Sequence, residues 1–190
     1  QYVAGWDWIQ PIRDRNTGIW DKVYIERTGS VNVKNPHVVT QVPGVRKVEG
    51  AQEPAQILAS AELENATDKK KEGVLQYVID GQTVKQSVTL EPGEVKEVNL
   101  PSYELNNPKL WWPSGYGPQN LYTVKFQFVE NGSVSDEESV TTGVREIQTS
   151  WNATSRSNQI AVNVQKIFIK GGNWIISDAM LRFTDTRYDA

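Results

Sequence analysis

The sequence predicts an all-β chain, and three observations support this fold class. Apolar and polar residues alternate with a period of two along much of the chain, whereas the 3.6-residue period of a helix is almost absent. Strong turn signals at Asp80-Gly81 and Asn131-Gly132 separate alternating segments, because both residues of each pair tolerate positive φ. The segments follow one another at the spacing typical of an immunoglobulin-like β-sandwich. We therefore expect two antiparallel sheets packed around one core.

The alternating segments predict about seven strands between Pro54 and Ile147. The clearest segments, in chain order, are residues 57–63, 75–79, 84–90, 95–98, 122–128 and 134–144. The longer ones have one apolar and one polar face, as in a strand that covers a core and meets water on its other side. The Cys-Trp-Cys core of antibody domains is missing because the chain has no cysteine, so the prediction concerns the architecture alone.

The two ends of the chain differ from this pattern. The N-terminal 34 residues contain one predicted strand, Val23 to Glu26. Near the other end an apolar run over residues 160–170 is followed by two glycines. The continuous part of this run, Ile167 to Ile169, is typical of a strand buried on both faces, as in a parallel barrel. Neither end can close a core alone, so both are interpreted as pieces of neighbouring domains.

Composition narrows the possible partners. The 190 residues carry 23 acidic and 20 basic side chains, and the only dense basic run, Lys69 to Lys71, lies beside acidic residues in a polar loop. Nucleic-acid binding requires a clustered basic surface, so we expect no nucleic-acid partner. No apolar segment approaches the ~20 residues that a membrane-spanning helix needs, so we expect no membrane partner.

Side chains for several kinds of catalysis are scarce. The absence of cysteine excludes disulfides and thiolate metal sites, and a single histidine, His37, excludes a histidine-rich metal site. His37 follows Pro36, where a surface position at a strand end is favoured over a place in a Ser-His-Asp triad. The acidic run Asp136 to Glu138 is interpreted as a solubilising edge. We expect no cofactor and no metal.

Four motifs, in order along the chain, resemble glycoside hydrolase family 2, the group of β-galactosidases, β-mannosidases, β-glucuronidases and exo-β-glucosaminidases. They are GWDWIQP at residues 5–11, NPKLWWP at 107–113, GVRE at 143–146 and IFIKGGNW at 167–174. The resemblance implies a division of the chain into three parts. These are the tail of a jelly-roll sugar-binding domain (1–34), an immunoglobulin-like sandwich (35–147) and the start of a (β/α)8 catalytic barrel (148–190).

The resemblance also implies an activity for a longer parent protein, a retaining exo-β-glycosidase that hydrolyses O-glycosyl bonds. Its two catalytic glutamates belong to later barrel strands, so this chain alone would lack them and be inactive. The sandwich would then serve as a spacer and domain clamp between the jelly roll and the barrel. The alternative is a free-standing carbohydrate-binding or adhesion sandwich. Residues 14–16 and 180–182 favour members similar to exo-β-glucosaminidases or mannosidases, and both specificities stay open.

The same resemblance assigns candidate sugar contacts in the full enzyme. A carboxylate accepts hydrogen bonds from sugar hydroxyls, and an indole offers a flat apolar face to a sugar ring. The alternative roles are structural, because tryptophans also fill a jelly-roll core and Asn or Asp also stabilises tight turns. The candidate substrate-binding residues are Asp7, Trp6, Trp8, Asn173, Trp174 and Asp178.

Two features inside the chain carry further expectations. Trp111, Trp112 and Pro113 are interpreted as core or interdomain packing rather than as sugar contacts. The family usually turns through Asn-Gly before its first barrel strand, whereas this chain has Asn163-Val164. Valine disfavours positive φ, so we expect the hairpin turn there to differ or to be absent.

Overall fold

A computed structural model describes residue 19 and residues 22–172, and the structural statements below refer to these residues. They contain eleven strands and no helix, which confirms the predicted all-β class. The chain divides into two compact units, Gln1–Ile25 with Ile169–Ala190, and Glu26–Phe168. Every described strand belongs to the second unit. The described residues of the first unit, 19, 22–25 and 169–172, have no regular secondary structure.

The strands of the second unit form two four-stranded sheets and one three-stranded meander, all antiparallel. In chain order they are β1 (Val31–Gln41), β2 (Ala55–Asn65), β3 (Lys71–Ile79), β4 (Gln82–Leu90), β5 (Val95–Asn99), β6 (Tyr103–Leu105), β7 (Tyr122–Glu130), β8 (Ser133–Thr142), β9 (Ile147–Asn152), β10 (Ser157–Val162) and β11 (Gln165–Lys166). The first sheet has the order β1-β2-β5, with β6 also pairing with β2, and the second has the order β4-β3-β7-β8. The meander has the order β11-β10-β9. Seven strands, β2 to β8, lie between Pro54 and Ile147, as predicted.

The core lies between the two four-stranded sheets and follows the alternation of the sequence. On β2 the residues at odd positions from Ala55 to Leu63 are buried, and on β7 the alternate residues Val124, Phe126 and Phe128 are fully buried. The ring centroids of Phe126 and Tyr77 lie 5.8 Å apart. Burial of each such side chain stabilises the fold by roughly 1.5–3 kcal/mol. The sandwich therefore forms because period-two segments can bury one face against another sheet.

Three hairpin turns use positive φ, and one of them contradicts an expectation. Asp80 and Gly81 adopt φ values of 48° and 75°. Asn131 and Gly132 adopt φ values of 50° and 79°, so both predicted turns are confirmed. Asn163 and Val164 also adopt positive φ, 50° and 68°, and connect β10 to β11. The expectation that this turn differs or is absent was wrong. A β-branched residue in this region costs about 1–3 kcal/mol, so surrounding contacts must hold the turn in place.

Strand β1 was missed by the sequence analysis because Asn35-Pro36 interrupts its pattern. The structure accommodates both residues in a bulge between Lys34 and His37, with Asn35 at φ 48°. Proline is tolerated there because β1 is an edge strand. His37 lies within β1, opposite Ser60, rather than at a strand end. The sandwich consequently starts at β1, before the predicted boundary at residue 35.

Polar side chains of β8 close the free edge of β1. Asp136 accepts a hydrogen bond of 2.7 Å from the backbone N–H of Val33, and Ser135 Oγ accepts one of 2.9 Å from that of Val31. Asp136 is therefore a structural partner of β1 and not only part of a solubilising edge. Satisfying edge N–H groups also removes a template for pairing with another chain.

Two predicted strands near the ends of the chain are absent. Residues 22–29 have no strand, and Ile25 is 93% exposed, so the strand predicted from Val23 to Glu26 was wrong. The strand predicted to be buried on both faces at Ile167 to Ile169 was also wrong, since Phe168 is 73% exposed. Apolar periodicity suits a strand only where partner strands exist, and no described strand pairs with either segment. The assignments of 1–34 to a jelly roll and of 148–190 to a barrel remain predictions.

Candidate functional site

The predicted sugar contacts lie outside the described residues. This applies to all six positions, Asp7, Trp6, Trp8, Asn173, Trp174 and Asp178. Their roles remain predictions. Within residues 22–172, no group of three or more Asp, Glu or His side chains is arranged to hold a metal ion. No helix in this part of the chain could span a membrane.

The described site of interest is a junction between the sandwich and the meander. Its centre is the loop between β6 and β7, residues 106–121, which we call the junction loop. Trp112 is fully buried in the sandwich core, as predicted, and its backbone N–H donates to the carbonyl of Pro118 at 2.9 Å. A Cβ atom at Gly117 would lie 2.9 Å from Cγ of Trp112, so only glycine permits this approach. Trp112 thus anchors the junction loop to the core.

Trp111, the residue before Trp112, packs against the segment after β8. The guanidinium carbon of Arg145 lies 4.5 Å from the centroid of the Trp111 ring, a cation–π contact. A Cβ atom at Gly143 would lie 2.7 Å from Cβ of Trp111, so this glycine also allows a close approach. Arg145 itself is held by Thr40, whose hydroxyl donates to the Arg145 carbonyl at 2.6 Å. The half-buried indole, with Arg145 over its ring and Gly143 against its Cβ, agrees with the predicted packing role.

Asn163 connects the meander to both of these elements. Its side chain is fully buried, and Nδ2 donates to the carbonyl of Trp111 at 3.1 Å. Oδ1 accepts from the backbone N–H of Glu146 at 3.0 Å. The backbone N–H of Asn163 donates to the Glu146 carbonyl at 2.9 Å. One side chain therefore holds the end of β10, the junction loop and the segment after β8 in a fixed arrangement.

A second connection holds the chain beyond the meander. The backbone N–H of Phe168 donates to the hydroxyl oxygen of Tyr116 at 2.7 Å. Tyr116 belongs to the junction loop, and its own N–H donates to the carbonyl of Pro113 at 3.0 Å. The loop thus contacts the chain after β10 at two points, Asn163 and Phe168.

Glu146 completes the junction. Its Oε2 accepts from the backbone N–H of Val42 at 2.9 Å, and its Oε1 accepts from Nε2 of Gln148 at 2.7 Å. The carboxylate therefore joins the segment after β1 to β9. Residues 143–146 form one of the family motifs, but the motif by itself does not predict this role. The partners of Asn163 and Tyr116 were also missed, because they lie 52 residues away along the chain.

A shallow cleft of about 230 Å³ lies next to the junction loop. Its amide side chains already have protein partners. Oδ1 of Asn107 accepts from the backbone N–H of Gln52 at 2.9 Å, and Nδ2 of Asn120 donates to the Leu110 carbonyl at 2.9 Å. Side chains of the junction form hydrogen bonds with backbone groups of other segments. This arrangement suits the junction to positioning those segments rather than to binding a small molecule.

These features define a sandwich module whose junction loop is hydrogen-bonded to the chain that follows the sandwich. Comparisons with known proteins identify its family. Residues 31–145 match the family model for glycosyl hydrolases family 2. The chain therefore belongs to that family. The chain is 35% identical to the mannosylglycoprotein endo-β-mannosidase of Lilium longiflorum, over 99% of this chain and 20% of that protein. It is 30% identical to an exo-β-D-glucosaminidase of Amycolatopsis orientalis, over 96% of this chain and 17% of that protein.

Comparison with solved structures agrees with this family assignment. The structure is similar to that of the Amycolatopsis orientalis exo-chitosanase CsxA, with a TM-score of 0.72 and 28% identity, over 85% of this chain and 18% of that chain. Similarity to a putative β-galactosidase from Bacteroides fragilis, with a TM-score of 0.56 at 22% identity over 74% of this chain and 20% of that chain, shows the fold alone. The chain spans about a fifth of the length of the curated relatives it matches.

Proposed function

We propose that this chain is the central, non-catalytic part of a longer retaining exo-β-glycosidase, in which the sandwich acts as a spacer and domain clamp. Family membership supports the reaction class, hydrolysis of an O-glycosyl bond. The relatives named above are glycosidases and are about five times as long as the part matched here. A longer protein of this kind supplies the domains between which a clamp would act.

The observation that carries the clamp role is the double attachment of the junction loop. Asn163 and Phe168 both lie after the sandwich, and the loop bonds to each of them. Because the loop is anchored in the core through Trp112, the path of the chain as it leaves the sandwich is set by the fold. A flexible spacer would need no such attachment.

Three carboxylates of the described residues are used in structure rather than in chemistry. Glu64, Glu130 and Glu137 form ion pairs with lysines at 2.5, 3.0 and 2.8 Å. Hydrogen bonds and lysine charges lower the pKa of each of these glutamates. A general acid requires the opposite, a pKa raised towards neutrality. The two glutamates of a retaining mechanism are accordingly placed, in this proposal, on barrel strands outside the chain.

For the substrate we propose a terminal β-linked glucosamine or mannose residue. The exo-β-D-glucosaminidase supports a terminal glucosamine. The endo-β-mannosidase supports mannose as the sugar but not its terminal position, because an endo-enzyme cleaves within a chain. The predicted contacts Asp7 and Asp178 would hold sugar hydroxyls, and Trp6, Trp8 and Trp174 would offer apolar faces. Asn173 would add an amide donor and acceptor.

A comparison of the 190-residue chain with the full-length polypeptide tests this proposal. Both would be assayed with the p-nitrophenyl β-glycosides of glucosamine and of mannose. We expect hydrolysis of at least one substrate by the full-length protein and none by the chain alone. Turnover by the chain alone, or no turnover of any β-glycoside by the long form, contradicts the proposal. Calorimetric titration of the chain with the free sugars tests the alternative, since specific binding would favour a carbohydrate-binding module.

A further inference from the structure

The tip of the β7–β8 hairpin places an exposed asparagine directly before a glycine. Asn131-Gly132 is the only Asn-Gly pair in the sequence, and both residues are exposed. They form the whole loop, because Glu130 pairs with Ser133 in the ladder. A Cβ atom added at Gly132 would meet no atom within 4 Å beyond its chain neighbours. The side-chain amide of Asn131 and the backbone nitrogen of Gly132 therefore lie next to each other at an uncrowded surface.

The surrounding protein does not hold either group. Within the described residues, no hydrogen bond forms to the Asn131 side chain or to the Gly132 N–H. Buried asparagines differ in this respect. Nδ2 of Asn65 donates to two carbonyl oxygens at 2.7 and 2.9 Å, and Nδ2 of Asn163 donates to one at 3.1 Å. Of these three asparagines, Asn131 is the one whose amide can rotate towards the nitrogen that follows it.

We propose that Asn131 is a site of spontaneous deamidation and isomerisation in the folded chain. The backbone nitrogen of Gly132 attacks Cγ of Asn131 and forms a bond with it, and the bond between Cγ and Nδ2 breaks. The amide nitrogen leaves as ammonia, with the proton that the Gly132 nitrogen loses, and a cyclic succinimide remains. Glycine favours the attack because it has no Cβ beside its nitrogen and its backbone reaches conformations closed to other residues.

Water completes the reaction at either carbonyl carbon of the succinimide. Opening of the ring at Cγ gives aspartate with the original backbone. Opening at the main-chain carbonyl of Asn131 gives isoaspartate, whose backbone runs through Cβ and Cγ. Water is the only reactant consumed and ammonia the only product released, so the change requires neither an enzyme nor a cofactor. It concerns this chain alone and does not depend on the proposed glycosidase activity.

Isoaspartate would change a loop whose length sets the register of its two strands. A two-residue hairpin loop fixes the register, and the isoaspartyl linkage adds a methylene carbon to the backbone between Glu130 and Ser133. Both strands use this end of the hairpin to hold the segment that leads into β1. Ser30 Oγ donates to Oε2 of Glu130 at 2.5 Å, and the N–H of Gly29 donates to the Ser135 carbonyl at 2.6 Å. We expect isomerisation to weaken this attachment.

Peptide mapping by mass spectrometry tests the chemistry. The 190-residue chain is incubated in mildly alkaline buffer, once folded and once denatured in guanidinium chloride, and conversion of amide to acid is followed at Asn131, Asn65 and Asn163. In the folded chain we expect conversion at Asn131 before any at Asn65 or Asn163. An intact amide at Asn131 in the folded chain, at a time when the denatured chain has converted it, overturns the proposal. Equal conversion at the three positions of the folded chain overturns it too.

The variant Asn131→Gly supplies a matched control. A Gly-Gly loop also suits this type of turn, and the variant has no amide to lose. Isoaspartate is detected by enzymatic methylation of its carboxylate with labelled S-adenosylmethionine, followed by mapping of the label. We expect label at residue 131 in the aged unsubstituted chain and none there in the aged variant. Absence of label at residue 131 in the aged unsubstituted chain would refute the isomerisation.

Hydrogen exchange at the Gly29 N–H tests the structural consequence. We expect severalfold faster exchange in the aged, isoaspartyl-containing chain than in the fresh chain, because the bond to Ser135 opens more often. Aged Asn131→Gly should exchange at the rate of the same variant when fresh. Unchanged exchange in a chain that carries isoaspartate would contradict the weakened attachment.

Discussion

Nδ2 of Asn163 donates a hydrogen bond of 3.1 Å to the carbonyl oxygen of Trp111, and both groups lie within the junction. The same side chain accepts from the N–H of Glu146 and is fully buried. This one amide therefore joins the meander to the sandwich, and it sits at φ 50° beside a valine at φ 68°. The local backbone is unfavourable, so the contacts of the amide must offset its cost.

Asn163→Ala should destabilise the chain strongly. The substitution removes the side-chain partner of the part-buried N–H of Glu146 and of the carbonyl of Trp111, and each loss costs about 1–3 kcal/mol. Asn131→Ala is the matched control, since Asn131 has the same φ of 50° but lies exposed at a hairpin tip. Its free energy of unfolding should fall only by the ~1 kcal/mol that positive φ costs an alanine. Urea unfolding of both variants measures the difference, and equal losses would contradict the role given to Asn163.

Val164→Gly should stabilise the chain. Glycine adopts φ 68° without steric cost, and the strain relieved, about 1–3 kcal/mol, exceeds the ~0.5–1 kcal/mol of added chain entropy. Val134→Gly, on β8, is the control and should destabilise, because that position is an ordinary strand residue. Thermal unfolding of the two variants checks the sign. A lower midpoint for Val164→Gly than for the unsubstituted chain would show that Val164 is not strained.

Tyr77→Phe should leave stability unchanged or raise it by up to ~1 kcal/mol. The hydroxyl of Tyr77 is buried in the core with no hydrogen-bond partner, so its removal relieves a desolvation cost. Burial, with a smaller contribution from Tyr103, raises the pKa of Tyr77 to about 12. Since the folded pKa lies above the unfolded value, this residue's contribution to stability falls as the pH rises from 10 to 12.

The advantage of Tyr77→Phe should therefore grow at alkaline pH. Tyr116→Phe provides the contrast, because it removes the hydroxyl that accepts from the N–H of Phe168. Hydrogen exchange at Phe168 should be faster in that variant. A clear loss of stability in Tyr77→Phe would reveal a partner for the hydroxyl of Tyr77.

Glu138→Gln and Glu130→Gln should have opposite effects that depend on pH. Burial first, and then the nearby charges of Glu26 and Asp136, raise the pKa of Glu138 above its ordinary value of 4.5. A raised carboxyl pKa stabilises the fold only while the group is protonated, so Glu138 costs stability at neutral pH. Glu138→Gln should be more stable than the unsubstituted chain at pH 7, with the advantage disappearing on acidification below pH 4.5.

Glu130 behaves in the reverse way. Hydrogen bonds from Ser30 and Lys71 lower its pKa, so its contribution is present at neutral pH and lost as the pH falls through the folded pKa. Glu130→Gln should therefore be less stable at pH 7, with the deficit shrinking in acid. Chemical unfolding at several pH values measures both trends, and parallel profiles for the two variants would contradict these assignments.

The predictable parts of the fold were those specified locally. Asp80-Gly81 and Asn131-Gly132 determine their hairpins through their own φ preferences. In β7 the alternation of apolar and polar residues predicts which face of the strand is buried. Strand β1 was not predicted because Asn35-Pro36 is tolerated only at a bulge in an edge strand. Whether a strand lies at an edge depends on the whole sheet and not on the residues of that strand.

The junction could not be predicted for a similar reason. The turn at Asn163-Val164 violates local preference and is held by groups far away in the sequence, the Trp111 carbonyl among them. Single residues do not reveal such partners. The family motifs pointed to the right segments, residues 107–113 and 143–146, without the contacts that join them.

The clamp role is tested most directly by the activity of the full-length polypeptide carrying Asn163→Ala or Asn131→Ala. The value of kcat/KM for the p-nitrophenyl glycoside that it hydrolyses is the quantity to measure. If the junction positions the catalytic domain, Asn163→Ala lowers kcat/KM by roughly tenfold or more, because small misplacements are costly in catalysis. Asn131→Ala should retain the unsubstituted value. Unchanged kcat/KM in a folded Asn163→Ala protein would contradict the clamp.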